Sequence, residues 1–225
     1  MPDRRRKRRQ SAGALVVKSD PYIDPDLEED GSMELRLTYA GELRSSRSEF
    51  SNSKRAHHVH KIRKCFHKQL KKLWSIHPGL VAAAPFAGPI MSEIFTCEGF
   101  KFRPMVTKRN GLICKLDILM LRDGKPGQVL SDIDNRLKTI FDALRMPDGP
   151  NELGSRTEIG QAMPENGEDP FYVLLQDDKL ITHASVTTDT MLDPLDGVTP
   201  DLAVRLVLNV TIRPYHVTQD NLHFA

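Results

Sequence analysis

Cysteine is scarce in this chain of 225 residues, and the three cysteines, Cys65, Cys97 and Cys114, are far apart. This odd, widely spaced set argues against a disulfide framework and against a cysteine-based zinc site. We therefore expect a reducing, cytoplasmic compartment. Hydrophobic runs are also short, well below the ~20 residues of a membrane helix. The first residues include arginines but lack the apolar region and cleavage site of a secretory signal, so we expect none.

Charge of one sign is not in excess, because the formal net charge is only +2. The charges are nevertheless segregated. Residues 4–9 are all basic, whereas residues 20–30 are acidic and contain prolines. Like charges repel and such segments bury little apolar surface, so we predict a disordered basic arm and acidic linker over residues 1–32. The remaining length, residues 33–225, suits one globular domain.

Acidic residues are almost absent from the predicted helix at residues 53–76. Its apolar residues recur at spacings of three and four, which is the helical period: Val59, Ile62, Phe66, Leu70 and Leu73. Surface helices normally mix charge signs to gain pairs four residues apart, so a one-sign face is either a solvated surface or a polyanion-binding surface. The residues that we predict to contact DNA are Lys54, Arg55, Lys61, Arg63, Lys64, Lys68, Lys71 and Lys72.

Alternating apolar and polar residues, as at residues 33–39 and 202–213, and short apolar runs, as at 171–175, predict strands in several places. These are residues 33–39, 95–106, 112–121, 171–175, 180–188 and 202–213. Between the second and third of these strands, Asn110-Gly111 predicts a hairpin turn. Residues 146–170 are rich in proline and glycine and show no period, so we predict a surface insertion there.

A cluster of charged residues begins the predicted helix at residues 131–145. Asp134, Lys138 and Asp142 are four residues apart and would line one side of that helix. Asp132 precedes Asp134 by two residues and could converge with it only from the cap or before it, because such residues point about 200° apart on a helix. Divalent metal sites are built from carboxylates on separate elements, and the later pair Asp177-Asp178 supplies a second set.

Two other interpretations of these acids are possible. In the structural one, Ser131 and Asp134 form a box-like helix cap and Asp177-Asp178 merely ends a strand. In the other, residues 132–143 would be an EF-hand calcium loop. That loop fails at its fifth and sixth positions, where Arg136 and Leu137 stand.

The whole string, together with the downstream acidic pair, resembles the RusA-type Holliday junction resolvases. That family's pattern is Asp-x-Asp-Asn-x-x-Lys-x-x-x-Asp-Ala-Leu followed by a strand ending in Asp-Asp. The chain matches it at Asp132, Asp134, Asn135, Lys138, Asp142-Ala-Leu144 and Asp177-Asp178. The resemblance covers mostly residues 115–186. It implies an α+β fold with a mixed sheet, a homodimer, and magnesium-dependent cutting of four-way DNA junctions in recombination and repair.

The resemblance also implies a role for each matched residue. Asp132, Asp134 and Asp178 would bind Mg²⁺, and Lys138 would be the catalytic lysine. Two of the remaining matches would be supports: Asn135 through a hydrogen bond to a ligand carboxylate, and Asp142 as a brace for Lys138. Asp177 would either share the metal binding or only orient the ligands.

The family further implies a bacterial or phage protein of the cytoplasm and nucleoid. Two features depart from it, namely the insertion at 146–170, where members have a short connection, and the additional arm before Met33.

Two other functions fit parts of the sequence. A non-catalytic DNA-binding protein would use the basic arm and helix alone. A metal-dependent hydrolase of small phosphoesters would use the acidic residues but would leave the basic helix without a purpose.

Overall fold

The computed structural model describes residues 32–46, 52–77, 80, 93–123, 133–153, 163–219, 221 and 224. Asp132 and nearly all of the predicted arm at 1–32 lie outside these ranges. The helices and strands are β1 (Met33–Glu42), α1 (Asn52–Ile76), β2 (Phe95–Cys97), β3 (Phe100–Val106), β4 (Leu112–Arg122), α2 (Ile133–Leu144), β5 (Phe171–Leu175), β6 (Ile181–Thr190) and β7 (Ala203–Pro214). Short 3-10 turns occur at Pro150–Glu152, Asp178–Leu180 and Pro200–Leu202. The predicted α+β class is confirmed.

The larger sheet has four strands in the order β1-β7-β4-β6. β7 is antiparallel to both of its neighbours, whereas β4 and β6 are parallel, so the sheet is mixed. One face is apolar because alternate residues point the same way, as Leu35 and Leu37 do on β1 and Leu206 and Leu208 do on β7. Ile62 of α1 and Ile140 of α2 belong to the same buried cluster, so both helices contribute to one core.

The smaller sheet has three strands in the order β2-β3-β5 and contributes a second cluster of buried residues, including Phe100, Phe102 and Phe171. β3 and β5 are parallel. The strand predicted over residues 95–106 is interrupted by a tight turn in which Glu98 and Gly99 have φ angles of 46° and 86°. That turn makes two antiparallel strands, β2 and β3, from one predicted strand.

The predicted hairpin at Asn110-Gly111 is wrong, because β3 and β4 belong to different sheets. The buried Asn110 side chain forms this corner. Its Oδ1 accepts hydrogen bonds from the Thr107 and Leu112 main-chain nitrogens at 2.9 and 3.2 Å, and its Nδ2 donates to the Met105 carbonyl at 2.9 Å. Gly111 follows with φ of 63°, a conformation that favours glycine. The chain turns as in a hairpin but crosses from one sheet to the other.

Helix α1 is buried on two adjacent sides. Beyond the predicted apolar residues, His60, Arg63 and His67 are also buried. The ring of His60 meets Phe100 edge-on at 5.3 Å between centroids, and the ring of His67 stacks on Phe171 at 4.3 Å. These contacts pack the second side of α1 against the smaller sheet. Arg63, predicted to lie on the DNA-facing surface, is instead fully buried.

Gln69 of α1 binds the outer edge of β1. Its Oε1 accepts a hydrogen bond from the Thr38 main-chain nitrogen at 2.9 Å, and its Nε2 donates to the Thr38 carbonyl at 2.7 Å. Both main-chain groups of this edge position are therefore paired. Within the part of the chain that the structure covers, no helix has the length and apolar character needed to cross a bilayer.

Candidate functional site

The first turn of α2 carries the motif residues that the structure describes. Asp134 lies there and is exposed, and a carboxylate at this helix end interacts favourably with the helix dipole. Asn135 is buried, and its Nδ2 donates to Asp134 Oδ1 at 3.4 Å, which is the contact expected of it. Asn135 Oδ1 in turn accepts a 2.8 Å hydrogen bond from Ser46 Oγ. The segment after β1 thus orients Asn135, which in turn holds the Asp134 carboxylate.

Asp177 begins the 3-10 turn that follows β5. Its Oδ1 accepts a hydrogen bond from the Lys179 main-chain nitrogen at 3.1 Å, and its Oδ2 lies 2.7 Å from Lys108 Nζ. The hydrogen bond from Lys108, followed by that from Lys179, lowers the pKa of Asp177 to about 2. Asp177 is therefore a fixed, ionised group that anchors the turn bearing Asp178.

Asp178 lies against α2. It lines an open groove of about 380 Å³ together with Phe141 of the helix and Ile181, Thr182 and Ala184 at the start of β6. Burial raises the pKa of Asp178. The attraction of Arg145 opposes this effect, whereas a side-chain hydrogen bond with Asp177 and the repulsion from Asp177 and Asp142 add to it. A carboxylate so placed would be stabilised by a nearby cation.

Asp142 has partners other than the one predicted for it. Its Oδ2 lies 2.9 Å from Arg55 Nη2 of α1, and its Oδ1 lies 3.2 Å from Arg145 Nη2. Arg145 also pairs with Glu152 at 2.9 Å, in the turn after α2. Asp142 therefore braces α1 and the end of α2, in place of the expected contact with Lys138.

The four described acids of the motif fall into two groups. Asp142 and Asp177 are each held by basic side chains. Asp134 and Asp178 form no salt bridge with any other residue in the described ranges. Asp134 and Asp178, two of the predicted metal ligands, are thus the acids without a salt bridge, whereas Asp142 and Asp177 are paired with basic residues. The metal-binding roles themselves stay predictions.

Lys138 lies on the same side of α2 as Asp134. It is exposed, follows Asp134 by four residues and precedes Phe141 by three, so the three side chains share one side of α2. Phe141 is the residue that shares the groove with Asp178.

Carboxylate oxygens are the ligands that Mg²⁺ prefers. Among the residues that the structure places, no three His, Cys, Asp or Glu side chains gather as a metal site, and Asp132 is not one of those residues.

The basic residues of α1 differ in their surroundings. Arg55 is paired with Asp142, and Lys64 is paired with Glu165 and Glu168. The burial of Arg63 removes it from any surface. The remaining members of the predicted DNA-binding set are exposed: Lys54, Lys61, Lys68, Lys71 and Lys72.

Two residues of the site region were not singled out from the sequence. Arg145 links Asp142 to Glu152, and Lys108 fixes Asp177. The pair of Arg145 with Asp142 could have been predicted from the sequence, because Arg145 follows Asp142 by three residues, a spacing at which helical side chains pair. The pair of Lys108 with Asp177 could not have been predicted, since Lys108 lies in a turn far from Asp177 in sequence.

No protein-family model, no curated protein and no solved structure matches this chain. The resemblance to RusA-type resolvases therefore rests on the motif residues themselves. A fold class hosts many activities, so the function has to be argued from the site.

Proposed function

We propose that this protein is a magnesium-dependent, structure-selective DNA endonuclease that resolves Holliday junctions in recombination and repair by phosphodiester hydrolysis. The observation that carries the proposal is the contrast between the open carboxylates of Asp134 and Asp178 and the paired carboxylates of Asp142 and Asp177. The protein would act as a homodimer, because two symmetric cuts need two sites. Its place would be the nucleoid of a bacterial or phage-infected cell.

Asp132, Asp134 and Asp178 are the residues that would hold Mg²⁺. When bound, the ion supplies charge relief to the phosphoryl oxygens and a more acidic water. Asn135 keeps the Asp134 carboxylate in place through its hydrogen bond. The ion pair between Lys108 and Asp177 fixes the turn from which Asp178 projects.

Lys138 would act on the phosphate itself. Its ammonium group is a point charge on the same side of α2 as Asp134, where it can offset the negative charge that grows on the phosphoryl oxygens in the transition state. The exposed lysines of α1 would contact backbone phosphates along the DNA arms and fix its position without reading sequence.

The test is cleavage of a four-way DNA junction by the purified protein in Mg²⁺. Asp134→Asn and Asp178→Asn should abolish cleavage while the protein still binds the junction. Asp169→Asn is the control, because this exposed acid pairs with Lys101 on β3. Equal cleavage of linear duplex would contradict the structure selectivity, and no cleavage by the wild type would contradict the nuclease.

A non-catalytic DNA-binding protein is the second candidate, and the exposed lysines of α1 favour it. It predicts a salt-sensitive affinity for DNA that Asp134→Asn and Asp178→Asn leave unchanged, with no cleavage in any metal. Loss of cleavage in these variants, starting from an active wild type, would rule this candidate out.

A further inference from the structure

The turn at residues 163–169, which ends the predicted insertion, lies on the basic side of α1. Lys64 Nζ is 2.6 Å from Glu165 Oε1 and 3.2 Å from Glu168 Oε1. About two helical turns further on, Lys71 Nζ donates to the Gly167 carbonyl oxygen at 2.5 Å. Two lysines of the predicted DNA-binding set are thus occupied by negatively charged or electron-rich oxygens of the same chain.

His67 completes this arrangement between the two lysines. Its Nδ1 accepts a hydrogen bond from the Tyr172 main-chain nitrogen at 2.8 Å, so the proton of the neutral ring is on Nε2. Nε2 lies 3.3 Å from the same Gly167 oxygen and donates to it. Lys64, His67 and Lys71 therefore present three donors in a row to the turn.

The two glutamates of the turn are held differently. Glu168 is buried, and its Oε2 accepts a hydrogen bond from the Glu165 main-chain nitrogen at 2.9 Å, so it shapes the turn itself. The Glu165 side chain is 73% exposed, and Lys64 provides its ion pair. Exposed ion pairs contribute little stability and weaken with salt. Glu165 is therefore a readily displaced partner of Lys64.

We propose that Lys64, His67 and Lys71 form an anion site for a phosphate group of a polyanion, and that Glu165 and the Gly167 carbonyl occupy this site in the free protein. The identification of that polyanion as DNA rests on the proposed function. Lys68 and Lys72 continue the exposed row. A polyanion that engages several of these lysines at once displaces the turn, whereas a single phosphate competes poorly with an attached carboxylate. The turn thereby competes with the polyanion for these lysines and weakens its binding to the free protein.

Glu165→Gln tests the site, with Asp169→Asn as the matched control. Both variants remove one negative charge from the same turn, but Asp169 pairs with Lys101 on β3, away from α1. Affinity is measured by titration with inorganic tripolyphosphate and with four-way junction DNA over a range of salt concentrations. Glu165→Gln should bind both ligands about two- to five-fold more tightly than Asp169→Asn, the range expected of one exposed ion pair. The slope of the logarithm of its DNA affinity against the logarithm of the salt concentration should steepen by up to about 0.9, which corresponds to one additional phosphate contact.

Adding Lys64→Gln to Glu165→Gln should remove the gain, because the ammonium group that would bind the phosphate is then absent. Equal affinities of Glu165→Gln and Asp169→Asn would contradict the proposed anion site, even if the protein cleaves junctions. Failure of every variant to bind either ligand would also contradict it. A gain with tripolyphosphate but no binding of junctions would support the site and contradict the DNA-directed function.

Discussion

Arg63 donates a 2.7 Å hydrogen bond to the main-chain carbonyl oxygen of Asp142, and this contact joins the two helices beside the candidate site. The same guanidinium donates to the Arg145 carbonyl at 3.0 Å. Burial lowers the pKa of Arg63 to about 10, while Glu152 and Asp142 favour its charged form. The group therefore stays charged at neutral pH, and its hydrogen bonds offset part of the cost of removing it from water.

Replacement of this guanidinium should destabilise the domain strongly. Arg63→Met keeps much of the side-chain volume but leaves the carbonyls of Asp142 and Arg145 without their donor. We expect a loss of about 2–4 kcal/mol in the free energy of unfolding, measured by urea denaturation. Lys61→Met, at an exposed position on the same helix, should change it by no more than about 0.5 kcal/mol. Equal losses in the two variants would contradict the buried role of Arg63.

The corner between the sheets should depend on the side chain of Asn110. Asn110→Ala leaves two main-chain nitrogens and the Met105 carbonyl without their buried partner, so we expect a loss of about 2–3 kcal/mol on urea denaturation. Asn209 is exposed on β7 and accepts one hydrogen bond from Arg36, which makes Asn209→Ala a suitable control with a small effect. A small effect of Asn110→Ala would show that the corner forms without this side chain.

His60 should contribute to acid lability. Burial lowers its pKa from 6.5 to about 3, so only the unfolded chain takes up its proton as the pH falls below about 6.5. Stability is then fully present above pH 6.5 and is lost as the pH falls toward 3. His60→Leu should remove about 1.4 kcal/mol per pH unit from the slope of unfolding free energy between pH 6 and pH 5. The exposed His57 provides the control: if His57→Leu flattens the slope equally, the buried ring is not responsible.

Lys138 and Lys61 should affect different steps of the proposed reaction. Lys138→Ala should lower the rate of junction cleavage at saturation by about 100- to 1,000-fold, because the charge that it offsets appears mainly in the transition state. Lys61→Ala should weaken junction binding and reduce the logarithmic salt slope by about 0.9, with little effect on the saturated rate. Single-turnover cleavage over a range of protein concentrations separates the two quantities. Loss of affinity alone in Lys138→Ala would assign it to DNA binding.

Local patterns predicted most of the strands and both helices because burial on one face imposes a period. β1 and β7 alternate buried and exposed residues as expected, and Ile62 and Phe66 of α1 face the core. The pairing of strands could not be predicted in the same way. Asn110-Gly111 supplies a turn suited to a hairpin, but whether the chain returns or crosses to another sheet depends on contacts distant in sequence.

The second buried side of α1 is visible in the sequence as a helical spacing, but its residues are mostly basic or imidazole side chains, which we assigned to the surface. His60, Arg63, His67 and Trp74 follow one another at helical spacings of three, four and seven, next to the apolar series. The smaller sheet covers the rings of His60, His67 and Trp74, whereas Arg63 is buried against the end of α2. The positions of these covering elements are not encoded in the helix.

For the candidate site, the spacing of Asp134 and Lys138 was sufficient to place them on one side of α2. Arg55 could not be predicted as a partner of Asp142, because it is 87 residues away in sequence.

The amide of Gln69 has a consequence for self-association of the larger sheet. An incoming strand at β1 would need the Thr38 nitrogen and oxygen that this amide already binds. Pairing of β1 with a strand of a neighbouring molecule is therefore disfavoured at Thr38, and β6 is the other edge of this sheet.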